Sequence, residues 1–186
     1  MPAPTTTVVA SVEKLRVFLS SISHRSTLYL DLEGRNLSRN GTFDILTALV
    51  RPTKKTSLID VHTLADTAFT TANGADRTLK GILGDPDVPK YFWGVRNDAD
   101  ALWSHHRVRL AGVTDVQLLE NATRRANKTR LWGLNMAVKR HLKPRQEVLG
   151  PGSRPRRASV PSWMLTRTCS RVGPWLPGSS GTAPTT

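Results

Sequence analysis

Two acids stand two residues apart in an otherwise apolar run, Asp31 and Glu33 in the stretch LYLDLEG. Leu28, Leu30 and Leu32 alternate with Tyr29, Asp31 and Glu33, which is the period of a strand, where residues i and i+2 share a face. Both carboxylates therefore lie on one side and the leucines on the other. Two carboxylates this close repel, and burying them without a partner is costly. A hard divalent cation relieves both problems, since Mg2+ is held by one or two carboxylates together with phosphate and water. A pair of such ions about 3.5–4 Å apart can clamp the attacking and leaving oxygens of a phosphodiester. The plainer alternative is a wet strand face with two solvated acids, and spacing alone leans that way.

A second acidic stretch changes the balance. In KYFWGVRNDADAL an apolar strand feeds a helix that opens at Asn97-Asp98. Acids at a helix N-terminus are common for capping and dipole reasons alone. Placed beside an Asp-x-Glu strand, Asp98 is also the residue that would complete a metal site. Asp100 is its rival if the helix starts in a different register.

LYLDLEG, then PKYFWGVRNDADAL, then GVTDVQLLENATR resemble, in order and spacing, the DEDD superfamily of 3′–5′ exonucleases, in its ribonuclease D and Werner-type branch. The resemblance covers roughly residues 11–142. It implies an α/β, ribonuclease-H-like fold with a mixed central sheet flanked by helices. It also implies hydrolysis of RNA or DNA from a 3′ end by two Mg2+ or Mn2+ ions. By position, Asp31, Glu33 and Asp98 match the metal ligands and catalytic acids, and Asp115 matches a supporting aspartate that here reads as a helix cap. Leu30, Leu32, Phe92 and Trp93 read as core or strand residues. The family's third motif, Tyr-x-x-x-Asp with Tyr or His first, has no counterpart. No aspartate follows Asp115, and the only tyrosines are Tyr29 and Tyr91. The expectation is an impaired exonuclease; the alternative is an inactive pseudo-nuclease that binds nucleic acid or a protein partner.

The positioning elements follow from periodicity. SVEKLRVFLS reads as a helix capped by Ser11, TLYLDLEG and TFDILTALV as an antiparallel hairpin, and TSLIDVHTL as a strand entering a short helix. DRTLKGILGDP reads as a brief helix, PKYFWGV as a strand, and NDADALWSHHRV and TDVQLLENATRRA as helices. For the last, Gln117 is placed for a capping-box contact with Thr114. WGLNMAVKRHL reads as one more helix. Strands followed by alternating helices and strands argue for α/β.

Charge divides the chain unevenly. Residues 1–123 hold 14 Lys+Arg against 13 Asp+Glu, net +1; residues 124–186 hold 13 against one, net +12. A basic segment of this kind meets polyanions or is simply solvated. Lys90, Arg96, Arg124 and Arg125 are the candidate phosphate contacts. His105 and His106 read as surface residues or helix-end charges. Tyr29, Trp93 and Trp103 read as core aromatics first and base-stacking residues second. Three segments are expected: a flexible N-terminus (1–10), the exonuclease-like domain (11–142), and a basic Pro/Arg-rich tail of low order (143–186). The abrupt change of composition at the third suggests a truncated or disordered end, through a shifted frame or a retained intron. Trp163 and Trp175 are unusual in such a tail. Cys169 is the only cysteine, so no internal disulfide is expected. No signal peptide and no apolar run of the ~20 residues needed to span a bilayer is visible. An intracellular location, nuclear or cytoplasmic, and no membrane partner are expected.

Overall fold

The three leucines of LYLDLEG take the buried side of their strand. In β2 (Thr27–Glu33), Leu28, Leu30 and Leu32 are buried, while Tyr29, Asp31 and Glu33 are half-buried on the opposite face. The computed structural model describes residues 6–142, which all belong to one compact unit, Met1–Arg145. The expectations for the tail 143–186, including Trp163, Cys169 and Trp175, and for residues 1–5 lie outside the described residues.

β2 is central in a mixed sheet. β3 (Ile45–Arg51) pairs with it antiparallel, with Asp31 opposite Thr47 and Glu33 opposite Ile45. β4 (Lys55–Asp60) continues antiparallel beside β3, and β1 (Thr6–Val9) runs parallel to β4. On the other side β5 (Lys90–Phe92) lies parallel to β2, and β6 (Val113–Asp115) parallel to β5. The order is β1-β4-β3-β2-β5-β6, the mixed α/β sheet that the sequence pattern predicts.

Seven helices are described: α1 (Val12–Ser20), α2 (Val61–Leu64), α3 (Thr67–Thr70), α4 (Leu79–Gly84), α5 (Arg96–His106), α6 (Val116–Thr123) and α7 (Leu134–His141). The core lies on the leucine side of β2. There Leu15, Phe18 and Leu19 of α1, Phe69 of α3, Leu79, Ile82 and Leu83 of α4, and Leu102 of α5 are buried in one apolar cluster with Leu46, Ala48 and Ile59. Burying each such large side chain is worth ~1.5–3 kcal/mol. Ser11 caps α1 as expected, its hydroxyl accepting from the Lys14 N–H at 3.4 Å.

Three expectations need correction. Residues 1–10 are not loose throughout, because Thr6–Val9 form β1 with Val9 buried. The signal was in the β-branched run TTTVV, which favours strand. Gln117 makes no capping-box contact; its side-chain amide donates to the Trp132 carbonyl at 2.8 Å, and Asp115 caps α6 alone. His106 keeps a charge-pairing place at the helix end but is half-buried instead of on the surface. It stacks on Phe69 at 4.2 Å between ring centroids and pairs with Asp66 at 2.9 Å.

Candidate active site

The half-buried face of β2 carries Asp31 and Glu33 toward its C-terminal end. Its parallel neighbour β5 ends at Phe92 and turns through Gly94 and Val95 into α5, whose first turn holds Asp98. Asp98 is fully buried, at 0% exposure. The topology thus puts Asp31 and Glu33 at the C-terminal end of β2 and Asp98 in the helix that follows its parallel neighbour β5. On the same face, one step back along the strands, Tyr29 and Tyr91 stack at 5.2 Å.

Two devices fix the backbone that presents these acids. Glu33 is followed by Gly34, where a Cβ would lie 2.1 Å from the Thr42 carbonyl oxygen. Only glycine lets the returning chain come that close. The turn before α5 has no side-chain cap of its own, since Val95 occupies the N-cap position. Asp115 takes over. Its carboxylate accepts the N–H of Gly94 at 3.1 Å and of Val95 at 3.0 Å, while also accepting from Gln117 and Leu118 at the start of α6. One side chain therefore caps α6 and clamps the turn that aims Asp98. Sequence alone identifies Asp115 as a cap; the contact with Gly94, 21 residues away, has no local signal.

Asp100, the rival of Asp98, is committed elsewhere. It receives the Arg39 backbone N–H at 3.0 Å and the Arg39 guanidinium at 2.7 Å. That hydrogen bonding holds the Asp100 carboxyl below the usual carboxylate range. His105 Nε2 lies 3.0 Å from the Ser38 carbonyl oxygen. Together these contacts tie α5 to the loop that follows Glu33.

Two proposed phosphate contacts are corrected by burial. Lys90 is fully buried at the N-terminal end of β5, away from the acids. Its ammonium donates to the carbonyls of Asp85 (2.6 Å), Val88 (2.7 Å) and Ala111 (3.0 Å), so all three donors are used. Arg124 is 7% exposed and pairs with Glu120 at 3.0 Å, with its guanidinium 3.8 Å from the Trp132 ring centroid. Neither can reach a phosphate. Arg96 and Arg125 are exposed.

The donor set of Asp31, Glu33 and Asp98 is all carboxylate oxygen, the chemistry that Mg2+ and Mn2+ prefer. Among the described residues, no group of three or more His, Cys, Asp or Glu stands ready as an ion cage. What matches Mg2+ or Mn2+ is thus the donor chemistry of the three acids, since Mg2+ takes one or two carboxylates with water and substrate phosphate, and not a closed cluster.

The architecture recurs in solved structures. Ribonuclease D of Trypanosoma brucei in complex with RNA U12 superposes with a TM-score of 0.63 at 25% identity, over 73% of this chain and 46% of that one. The catalytic core of RRP6 from the same organism gives 0.56 at 16% identity, over 84% and 41%. Escherichia coli RNase D gives 0.53 at 15% identity, over 73% and 33%. These define a ribonuclease-H-like α/β fold, and the chain spans less than half the length of each. No curated protein sequence matches. A family model of the 3′-5′ exonuclease domain matches residues 6–163, and the chain belongs to that family.

Proposed function

We propose that this domain removes nucleotides one at a time from the 3′ end of RNA, with Mg2+ or Mn2+ held by Asp31, Glu33 and Asp98. The observation that carries the reading is the family match over residues 6–163, falling on a strand that presents Asp31 and Glu33 on one face beside the helix start bearing Asp98. RNA is favoured over DNA because the T. brucei ribonuclease D structure contains RNA U12. When bound, the ions would neutralise charge at the scissile phosphate and activate the attacking water. The chain's own part is to hold hard oxygen ligands in fixed places. β2 sets the spacing of Asp31 and Glu33, and the Asp115 clamp fixes the start of α5. Exposed Arg96 and Arg125 would meet the substrate backbone.

Turnover in this chain is proposed to be slow. No aspartate follows Asp115, and the only two tyrosines are stacked on each other, so the third-motif pair has no stand-in among the described residues. The test is a 5′-labelled single-stranded RNA incubated with Mn2+ and resolved on a sequencing gel. A slow ladder shortening from the 3′ end is expected, reduced more than ~100-fold in Asp31→Asn and Glu33→Gln, beyond the usual loss for groups one shell away from a metal. A ladder unchanged in both variants refutes the site. The missing third motif also favours a second reading, a nucleic-acid-binding domain without turnover. RNA binding with no shortening in Mn2+ selects it.

A further inference from the structure

The far end of α5 carries an exposed aromatic ring among cations. Trp103 is 44% exposed and is the one aromatic among the large apolar side chains left exposed in the described residues. The guanidinium of Arg109 lies 5.3 Å from its ring centroid and that of Arg107 lies 5.8 Å away. These positions are built by the backbone. Arg107 ends the helix in the left-handed region, at φ 52, with its N–H bonded to the Leu102 and Trp103 carbonyls. Val108 then turns inward to 1% exposure, its N–H bonded to the Leu102 carbonyl at 3.1 Å. Arg107 and Arg109 flank that anchor and are both exposed. Lys80 adds a third cation, its ammonium 3.5 Å from the His106 carbonyl oxygen.

None of the ion pairs among the described residues uses Lys80, Arg107 or Arg109. The acid on the neighbouring α3 side, Asp66, is engaged by His106. A guanidinium beside an exposed indole gains only ~0.5–1 kcal/mol, and none of the three cations is held in an ion pair among the described residues. A polyanion supplies a counter-charge, and an indole face accepts any base by stacking. Trp103 lies five residues beyond Asp98, about 7.5 Å along the helix axis and turned about 140° away, so this surface is separate from the carboxylates.

We infer that Trp103, Arg107, Arg109 and Lys80 form an accessory site for single-stranded nucleic acid, which holds nucleotides upstream of the 3′ end by one stacked base and its adjoining phosphates. The identity of the ligand rests on the nuclease reading above; the geometry of the patch does not.

The experiment is fluorescence anisotropy of a 5′-labelled 12-nucleotide oligouridylate with the full chain, in EDTA, across a range of KCl concentrations. Trp103→Ala is expected to weaken binding about 5- to 160-fold, the range that loss of one base stack produces. Arg107→Ala/Arg109→Ala is expected to flatten the slope of log affinity against log salt by about 1.4, from roughly 0.7 per phosphate contact on a single strand. Lys139→Ala/Arg140→Ala, an exposed basic pair on α7, serves as the comparison. Unchanged affinity and slope in both patch variants overturn the proposal. So does an equal loss in the α7 pair, which would reduce the effect to net charge. Melting curves accompany each variant, and if Trp103→Ala fails to fold, the arginine pair alone decides. Because EDTA separates binding from turnover, binding through the patch without hydrolysis in Mn2+ sinks the nuclease reading and leaves this one standing. Hydrolysis indifferent to the patch does the reverse.

Discussion

At the scale of single residues, Asp115 and Lys90 show how a charged side chain is put to structural use. The Asp115 Oδ1 accepts three N–H groups, from Gly94, Gln117 and Leu118, and Oδ2 accepts the Val95 N–H. In Asp115→Asn the amide oxygen can keep the set on Oδ1, but an NH2 then faces the Val95 N–H. One hydrogen bond to a charged acceptor is lost and two donors meet, so denaturant unfolding should show a loss of about 1–3 kcal/mol. Asp115→Ala should cost more, as it removes the cap of α6 as well. Gly94 sits at φ 77 with the Gln117 amide 2.8 Å from where a Cβ would be, so its permissive backbone belongs to the same device. Lys90 gives a pH prediction. Burial pushes its ammonium down to about 8, against an ordinary value of about 10.4. Between these limits the unfolded chain holds a proton that the folded chain has released, so the unfolding free energy attributable to Lys90 rises with pH. The wild type should be more stable than Lys90→Met at pH 7, since the variant strands three carbonyls. The gap should widen from pH 8 to about 10.5 in thermal melts; a gap that narrows refutes it. Asp31 and Glu33 were legible in the sequence because a period of two decides their face. The fate of Lys90 was not, because the three carbonyls that capture it are set by how the 85–89 loop and residue 111 meet β5.

At the scale of elements, the question is what keeps the end of β2 beside the start of α5. Strand order sets β2 and β5 as neighbours, where the sequence pattern predicted only a mixed sheet. The fastening is made by the loop between β2 and β3, where Arg39 and Ser38 reach Asp100 and His105 of α5. The Arg39–Asp100 pair is a fork with a backbone bond beside it, yet it lies at the surface. Exposed pairs contribute little to global stability, about 0–1 kcal/mol. The consequence of Asp100→Ala is therefore local: a small shift in melting temperature, with faster hydrogen exchange confined to the loop 35–42 and the first turns of α5. Exchange unchanged in that loop would mean that Gly34 and the β2–β3 ladder hold it without help. Sequence reading treated Asp100 only as a rival ligand, since the partner that claims it, Arg39, stands 61 residues earlier.

At the scale of the whole molecule, a charge-balanced N-terminal two thirds, net +1, precedes a segment of net +12. The acids of the candidate site thus sit in the balanced part, and what draws a cation to them must be local geometry. Under the proposed function these acids hold a divalent ion, a reading that family membership supports. A ligand that binds only the folded state stabilises it by RT ln(1 + [L]/Kd), about 2.7 kcal/mol at one hundred times Kd. Mn2+ should therefore raise the melting temperature of the wild type in a saturable way. Glu33→Gln keeps shape and hydrogen-bonding capacity while replacing a charged oxygen ligand by a neutral amide, so its Mn2+-induced shift should shrink. Asp31→Asn and Asp98→Asn should behave alike, each judged against its own metal-free melt, because Asp98 is buried and its replacement alters stability directly. Asp76→Asn, an exposed residue before α4, should keep the full shift. If all four variants shift as the wild type does, Mn2+ binds elsewhere and the three acids are not its ligands. If only the three site variants lose the shift while RNA still goes uncleaved, the ions are held but the hydrolytic step fails. That outcome would support the proposed slow turnover and locate the loss in a step after ion binding instead of in the carboxylates of β2 and α5.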